Sequence, residues 1–256
     1  MEKVNAKKID PHNLFCKSNN MKYGQIAGNR HLNRLIYRCF EYICEEDERK
    51  CVKKLREQPS TSDEIMHTVR ELILGAYLGS SGFNVRYDCT VNTQTPDWCI
   101  LDGMSALLGI IELANFHIDK TTEQQVERQR QAKGMAIYWR DGNKDNVDRL
   151  YHSMLHKAQV YKALVQNLRV PYVIAVFSDF RAAIDSEEIY ACLFAKEFGL
   201  FEICPEVSGM LYFVETSGRY LFRFTHNPTA LRVFDLPHGF FPPNGKGDSS
   251  ISWPLD

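Results

Sequence analysis

Apolar and polar positions change period several times along this chain, and each change marks a predicted element. Over residues 31–56, Leu32, Leu35, Ile36, Cys39, Phe40, Ile43 and Cys44 recur at helical spacing. They predict one amphipathic helix whose second half, from Glu45 on, is charged and solvated. Gln58-Pro59-Ser60-Thr61-Ser62 breaks the pattern, with Ser62 a candidate cap for the next helix. That second helix is predicted over 63–80, with Ile65, Val69, Leu72, Ile73 and Ala76 on one side and Glu71 beside that apolar face; Gly79-Ser80-Ser81-Gly82 closes it. Phe83, Val85, Tyr87 and Cys89 alternate with Asn84, Arg86 and Asp88, a strand over 83–91. Two apolar runs, 98–101 and 106–111, flank Asp102-Gly103 and predict a hairpin over 97–115 with a tight turn.

Residues 117–147 are polar and nearly balanced in charge, and read as an insertion holding a short helix at 121–133. A long helix comes next over 148–168, then Val170-Pro171 and the unbroken apolar run Tyr172 to Phe177, which belongs in the middle of a sheet. A helix over 186–198 and a second hairpin, 209–215 with 219–225 about Ser217-Gly218, complete the pattern. The Pro- and Gly-rich stretch from Pro237 on reads as irregular, and there is no internal repeat. The expected class is α/β, with a central mixed sheet flanked by helices and an N-terminal helical extension. The expected parts are a leader and helix over 1–62, a core over 63–236 with its insertion near 117–147, and a tail over 237–256.

Composition changes this picture little. The apolar share of 44% is ordinary for a chain with a real core, and a net charge of −1 excludes a wholly basic protein. Only residues 1–38 are strongly basic, eight Lys or Arg against Glu2 and Asp10; such a stretch can meet phosphates or stand as a solvated leader. The eight cysteines form no Cys-x-x-Cys pair, so reduced thiols are expected rather than zinc, with Cys89, Cys99 and Cys192 acting as small hydrophobes. Reduced thiols, the absence of a signal-peptide pattern and the lack of any apolar run of membrane-spanning length give a cytoplasmic protein as the expectation.

The candidate chemistry lies in the first hairpin. Asp97 opens one strand and Glu112 sits in the other between Ile110, Ile111 and Leu113, where a carboxylate is costly to bury without a partner. Pairing about the turn would bring the two acids to one end of the hairpin, where a hard divalent cation could be shared.

The order helix, three strands, long helix, strand, with Glu71 in the first helix, Pro96-Asp97 on the second strand and Glu112-Leu113-Ala114 on the third, resembles the PD-(D/E)xK nuclease superfamily over residues 63–178. The resemblance implies a restriction-endonuclease-like core in which Asp97 and Glu112 hold Mg²⁺ or Mn²⁺ and Glu71 assists. It also implies a DNA partner; no membrane is expected, from the lack of a spanning apolar run, and a homodimer is a candidate assembly. The family's lysine is missing: Ala114 stands where it belongs. In this family a basic group from the long helix can take over, and Lys157 and Gln159 in His156-Lys157-Ala158-Gln159-Val160-Tyr161 are the candidates to position water or phosphate. Metal ions suit phosphodiester hydrolysis because they neutralise the phosphate and generate hydroxide near neutral pH. Two other readings stand beside the nuclease. Ala114 suits an inactive nuclease-fold module that binds nucleic acid or a protein, and acids on opposite sheet faces would make the pair purely structural. His152 and His156 have metal-compatible spacing but no third ligand nearby in sequence, so a solvated or hydrogen-bonded pair is expected.

Overall fold

A computed structural model describes residues 30–57, 62–117, 124–125, 128–129, 131–132, 144–178, 184–216, 219–234 and 249–254. The chain divides into two compact units between Cys89 and Thr90, later than the expected boundary at residue 62. The leader over 1–29, the break at 58–61, most of the 117–147 insertion and residues 235–248 lie outside the described residues.

The first unit holds helices α1 (Arg30–Phe40), α2 (Glu45–Glu57) and α3 (Ser62–Ser80) and strand β1 (Asn84–Tyr87). The single helix expected over 31–56 is therefore two. Its first part ends because the N–H groups of Glu41 and Tyr42 donate to Arg38 O and Cys39 O, three residues back, which tightens and stops the turn. A new helix opens with Glu48 N–H on Cys44 O at 3.0 Å. Glu45, Glu46, Asp47 and Glu48 crowd its first turn, where the positive end of the helix dipole favours acids. Nor is this half merely solvated, since Asp47, Cys51, Val52 and Leu55 are buried. Asp47 tolerates burial because Arg86 Nε reaches its carboxylate at 3.2 Å. Strand β1 covers only the first half of the expected 83–91, and Asp88 beyond it turns left-handed at φ 50°. Leu35, Ile36 and Cys39 of α1 and Val69, Leu72 and Ile73 of α3 are among the residues that form the core of this unit.

The second unit is a mixed open sheet with helices, so the α/β class holds. Its strands are β2 (Trp98–Leu101), β3 (Leu107–Phe116), β4 (Tyr172–Ser178), β5 (Gly209–Thr216), β6 (Arg219–His226) and β7 (Ser249–Pro254). They lie side by side in chain order. Pairing is antiparallel for β2–β3, parallel for β3–β4 and β4–β5, and antiparallel for β5–β6 and β6–β7. Strand β4 has parallel neighbours on both sides and every one of its residues is buried, which is why its sequence is an unbroken apolar run. The crossover from β3 to β4 carries α4 (Lys144–Leu168), starting earlier than the expected 148. Its Leu150, Met154, Ala158, Tyr161, Leu164 and Val165 pack in one cluster with Ile110, Ala114, Phe116, Ile174 and Val176 of the sheet.

Three details of this unit depart from the sequence pattern. The β2–β3 connection is not a two-residue turn: the Asp102 carboxylate accepts the N–H groups of Met104 and Ala106, each at 2.8 Å, and closes a longer loop by its side chain. The helix expected over 186–198 becomes α5 (Ser186–Phe194) and the short α6 (Leu200–Ile203). Asp185 and Glu188 cap the start of α5 reciprocally. The end of the chain is not wholly irregular, because β7 adds to the sheet with Trp253 opposite Tyr220. Among the described residues no helix is long and apolar enough to cross a membrane.

Gly79 of α3 lies against the chain between α1 and α2, and a Cβ there would fall 2.2 Å from the Tyr42 carbonyl oxygen. Backbone oxygen cannot yield as a flexible side chain can. Gly79→Ala is expected to destabilise the first unit by roughly 1–3 kcal/mol despite alanine's better helix propensity, read as a lower urea midpoint.

Candidate active site

Residues two apart on a strand share one face of the sheet, so Ile110, Glu112, Ala114 and Phe116 of β3 point to the same side. That is the side α4 covers. Glu112 therefore places a carboxylate, only 2% exposed, among apolar neighbours, in register with Ile174 of the central strand. Burial on these terms demands partners. Two elements supply them.

The β2–β3 register, Trp98 opposite Ile111, brings Asp97 alongside Glu112. The backbone N–H of Asp97 donates to Glu112 Oε1 at 2.8 Å, and the backbone N–H of Leu113 donates to Asp97 Oδ2 at 2.8 Å. Each acid thus accepts from the other's strand, a reciprocal clip that fixes both carboxylates on one side of the sheet. The second partner comes from α4: Lys157 donates from Nζ to Glu112 Oε2 at 2.6 Å and stands 3.9 Å from Asp97 Oδ2. The side chains of Lys157 and Asp97 are 28% and 17% exposed, so the cluster is shielded yet reachable from solvent.

Two tyrosines hold the lysine in place. Tyr172 donates its hydroxyl to Lys157 O at 3.1 Å, and Tyr161, one turn on, donates to Thr95 O at 3.2 Å. Burial first, then the negative charges of Glu112 and Asp97, pushes the hydroxyl of Tyr161 well above its ordinary range; burial and Glu112 do the same to Tyr172. Both stay protonated and serve as donors.

Of the sequence candidates, Asp97, Glu112 and Lys157 meet in one site. Ala114 sits on the same face of β3 with nothing to offer, and the ammonium of Lys157 reaches the acids from the helix instead. Gln159 does not join them. It is exposed, and two residues along α4 place it about 160° round the axis from Lys157. His152 and His156 are likewise exposed on α4.

Glu71 belongs to the first unit, where it has a site of its own. The carboxylate accepts Lys54 Nζ at 2.8 and 3.1 Å and the Tyr87 hydroxyl, and pairs with His67 Nε2 at 2.9 Å. Burial alone would raise the Glu71 carboxyl, but the His67 hydrogen bond and the charges of Lys54 and His67 outweigh it and hold the group down at about 2. His67 and Glu71 are four apart on α3, a pairing legible in the sequence. Lys54 and Tyr87 come from other elements, and no local pattern announces them.

Two carboxylates against one ammonium leave a formal charge of −1 in a shielded site, and the donors are hard oxygens. A small divalent cation suits such a set, since Mg²⁺ is commonly held by one or two carboxylates with water and substrate phosphate completing its shell. Among the described residues no group of three or more His, Cys, Asp or Glu gathers to hold a metal without such help.

Two outcomes test these assignments. Because the folded-state value of Glu71 lies below its unfolded value, it adds stability that is fully present above about pH 5. That stability is lost as pH falls from there towards about 2. Urea midpoints measured down that range should fall for the wild type, and this part of the fall should vanish in Glu71→Gln. Separately, Lys157→Ala leaves Glu112 buried without its cation and is expected to cost roughly 3 kcal/mol, most of it recovered in Lys157→Ala/Glu112→Gln. Comparison with protein-family models, with curated proteins and with solved structures finds no match to this chain.

Proposed function

We propose that this chain is a metal-dependent nuclease of restriction-endonuclease-like architecture, hydrolysing phosphodiester bonds of DNA. The observation that carries the reading is the approach of Lys157 to Glu112 at 2.6 Å with Asp97 alongside. It restores, from the helix, the cationic group that Ala114 removes from the strand. The order β2, β3, α4, β4 supports the architecture, since it sets the acids on a hairpin and the lysine on the crossover helix after it.

In this reading Asp97 and Glu112 would hold Mg²⁺ or Mn²⁺, and the ion would supply charge neutralisation at the phosphate and a more acidic water. Lys157 orients the attacking water or a non-bridging phosphate oxygen by its ammonium, and balances the second carboxylate when substrate is absent. The cross-strand N–H donors of Asp97 and Leu113 keep both acids aimed without rearrangement. Tyr161 and Tyr172 fix the helix that bears the lysine. The Glu71 carboxylate is engaged by Lys54, His67 and Tyr87 within the first unit, and this reading does not call on it.

One feature favours a second reading, a binding module without catalysis: Lys157 itself can serve as the permanent counter-ion of the acid pair. Cleavage of plasmid and single-stranded DNA with Mg²⁺ or Mn²⁺ separates the two. The nuclease reading expects metal-dependent cutting that is lost in Asp97→Asn and Glu112→Gln and strongly reduced in Lys157→Met, with circular dichroism confirming the fold of each variant. A wild type that neither cuts nor binds either metal by calorimetry would remove the enzyme reading and leave the module.

A further inference from the structure

Only Thr95 and Pro96 separate Gln94 from Asp97, and both ends of this run are tied to the site. At one end the Asp97 N–H holds Glu112 Oε1. At the other the Gln94 side chain crosses to α4 and donates from Nε2 to Val160 O at 2.8 Å. Between them Thr95 O accepts the Tyr161 hydroxyl, and Pro96, buried, restricts the backbone by its ring. Gln94 is itself anchored. Its N–H donates to Val91 O at 3.1 Å and its O accepts the Val91 N–H at 2.8 Å, closing a turn in which Asn92 takes the left-handed conformation at φ 55°.

The bond from Gln94 is not one that the helix needs. Val160 lies well inside α4, where its carbonyl already accepts the N–H four residues on, so the glutamine uses a second lone pair. A carbonyl only accepts, so Nε2 must face Val160 and Oε1 is turned away. That oxygen is buried and accepts no hydrogen bond from the described residues. A buried acceptor left in this way costs stability, and an apolar side chain of the same length would not incur that cost. What the glutamine supplies instead is position. Lys157, Val160 and Tyr161 fall within about 100° of the helix circumference, and Val160 is about 4.5 Å along the axis from Lys157. The Lys157 head rides on a flexible four-carbon stem, so where it comes to rest depends on where the helix is held. With Glu112 Oε2 at 2.6 Å and Asp97 Oδ2 at 3.9 Å, a small shift of α4 would change which acid the ammonium serves.

The geometry points to Gln94 as a positioning residue that fixes α4, and with it the Lys157 ammonium, against the segment bearing Asp97. Tyr172 holds the same stretch of helix from β4 through Lys157 O, and Gln94 holds it from the side of the acids. The consequence for turnover rests on the nuclease reading; the hold on Lys157 does not.

The test compares the wild type with Gln94→Met, which keeps the length and removes the donor, and with Thr93→Ala on the exposed part of the same turn. Trace acetylation with acetic anhydride, read by mass spectrometry, gives the reactivity of Lys157 against exposed Lys196 as internal standard. Gln94→Met should raise the relative reactivity of Lys157 severalfold without lowering the urea midpoint, and Thr93→Ala should leave both unchanged. Hydrolysis of bis(p-nitrophenyl) phosphate with Mn²⁺ should show kcat about tenfold lower in Gln94→Met at an unchanged KM, the mark of a misplaced group rather than a lost binding contact. Unchanged Lys157 reactivity in Gln94→Met, an equal rise in Thr93→Ala, or a wild-type kcat in Gln94→Met would overturn the proposal. A urea midpoint well below wild type in Gln94→Met would overturn it too, in favour of a plain structural contact. A wild type that hydrolyses no diester removes the nuclease reading, and the acetylation then decides the hold on Lys157 by itself.

Discussion

Placing the Glu112 carboxylate in the apolar layer between β3 and α4 is the constraint on which the second unit depends. An isolated charge there would cost more than most single contacts return. The surrounding elements are arranged so that it is never isolated. β2 supplies the Asp97 N–H, β3 returns the Leu113 N–H to Asp97, and α4 supplies the Lys157 ammonium. Hairpin register and helix position are thereby tied to the same few atoms. A slip of one residue between β2 and β3 would turn Asp97 to the other face and break the clip. An apolar residue at 112 could fill the space as well, so a charge held this way is hard to explain by stability alone.

Glu71 poses the same problem and meets a different solution. Its oxygens are shared among an ammonium, an imidazole and a phenol within the first unit, and two of those partners are pinned by the folding of α3 and β1. Glu112 has one backbone donor, the Asp97 N–H, on one oxygen and the Lys157 ammonium on the other. The first arrangement is closed and reads as a structural fastener. The second pairs two acids with one cation and leaves Asp97 and Lys157 partly open to solvent, and this difference is what directs functional attention to the hairpin.

Elements whose logic is local were legible in the sequence. The apolar run Tyr172 to Phe177 reads as a central strand because a strand with parallel neighbours on both sides has no polar face to display. Asp97 and Glu112 were legible as a pair because a hairpin converts sequence symmetry about a turn into proximity, even though the turn itself is closed by the Asp102 side chain rather than by Asp-Gly geometry. Lys157 was reachable by inference from the gap left by Ala114. What stayed hidden depends on tertiary partners. The break near Glu41 looks like a continuous apolar stripe until the chain is seen to turn, and Lys54 and Tyr87 find Glu71 only once three elements have packed. Ile251 and Trp253 alternate as a strand should, but six residues beside Pro and Gly carry too little pattern to outweigh their neighbours.

Helix α4 is where core packing, the buried charge and the solvent boundary meet, because its sides answer to different physical demands at once. Its inner side obeys the volume of the sheet, and small Ala158 and large Met154 and Tyr161 fit the surface that β3 and β4 present. Its edge obeys charge, where Lys157 answers a carboxylate that the core would otherwise reject. Its outer side answers neither demand, since packing and the Glu112 charge are satisfied without it.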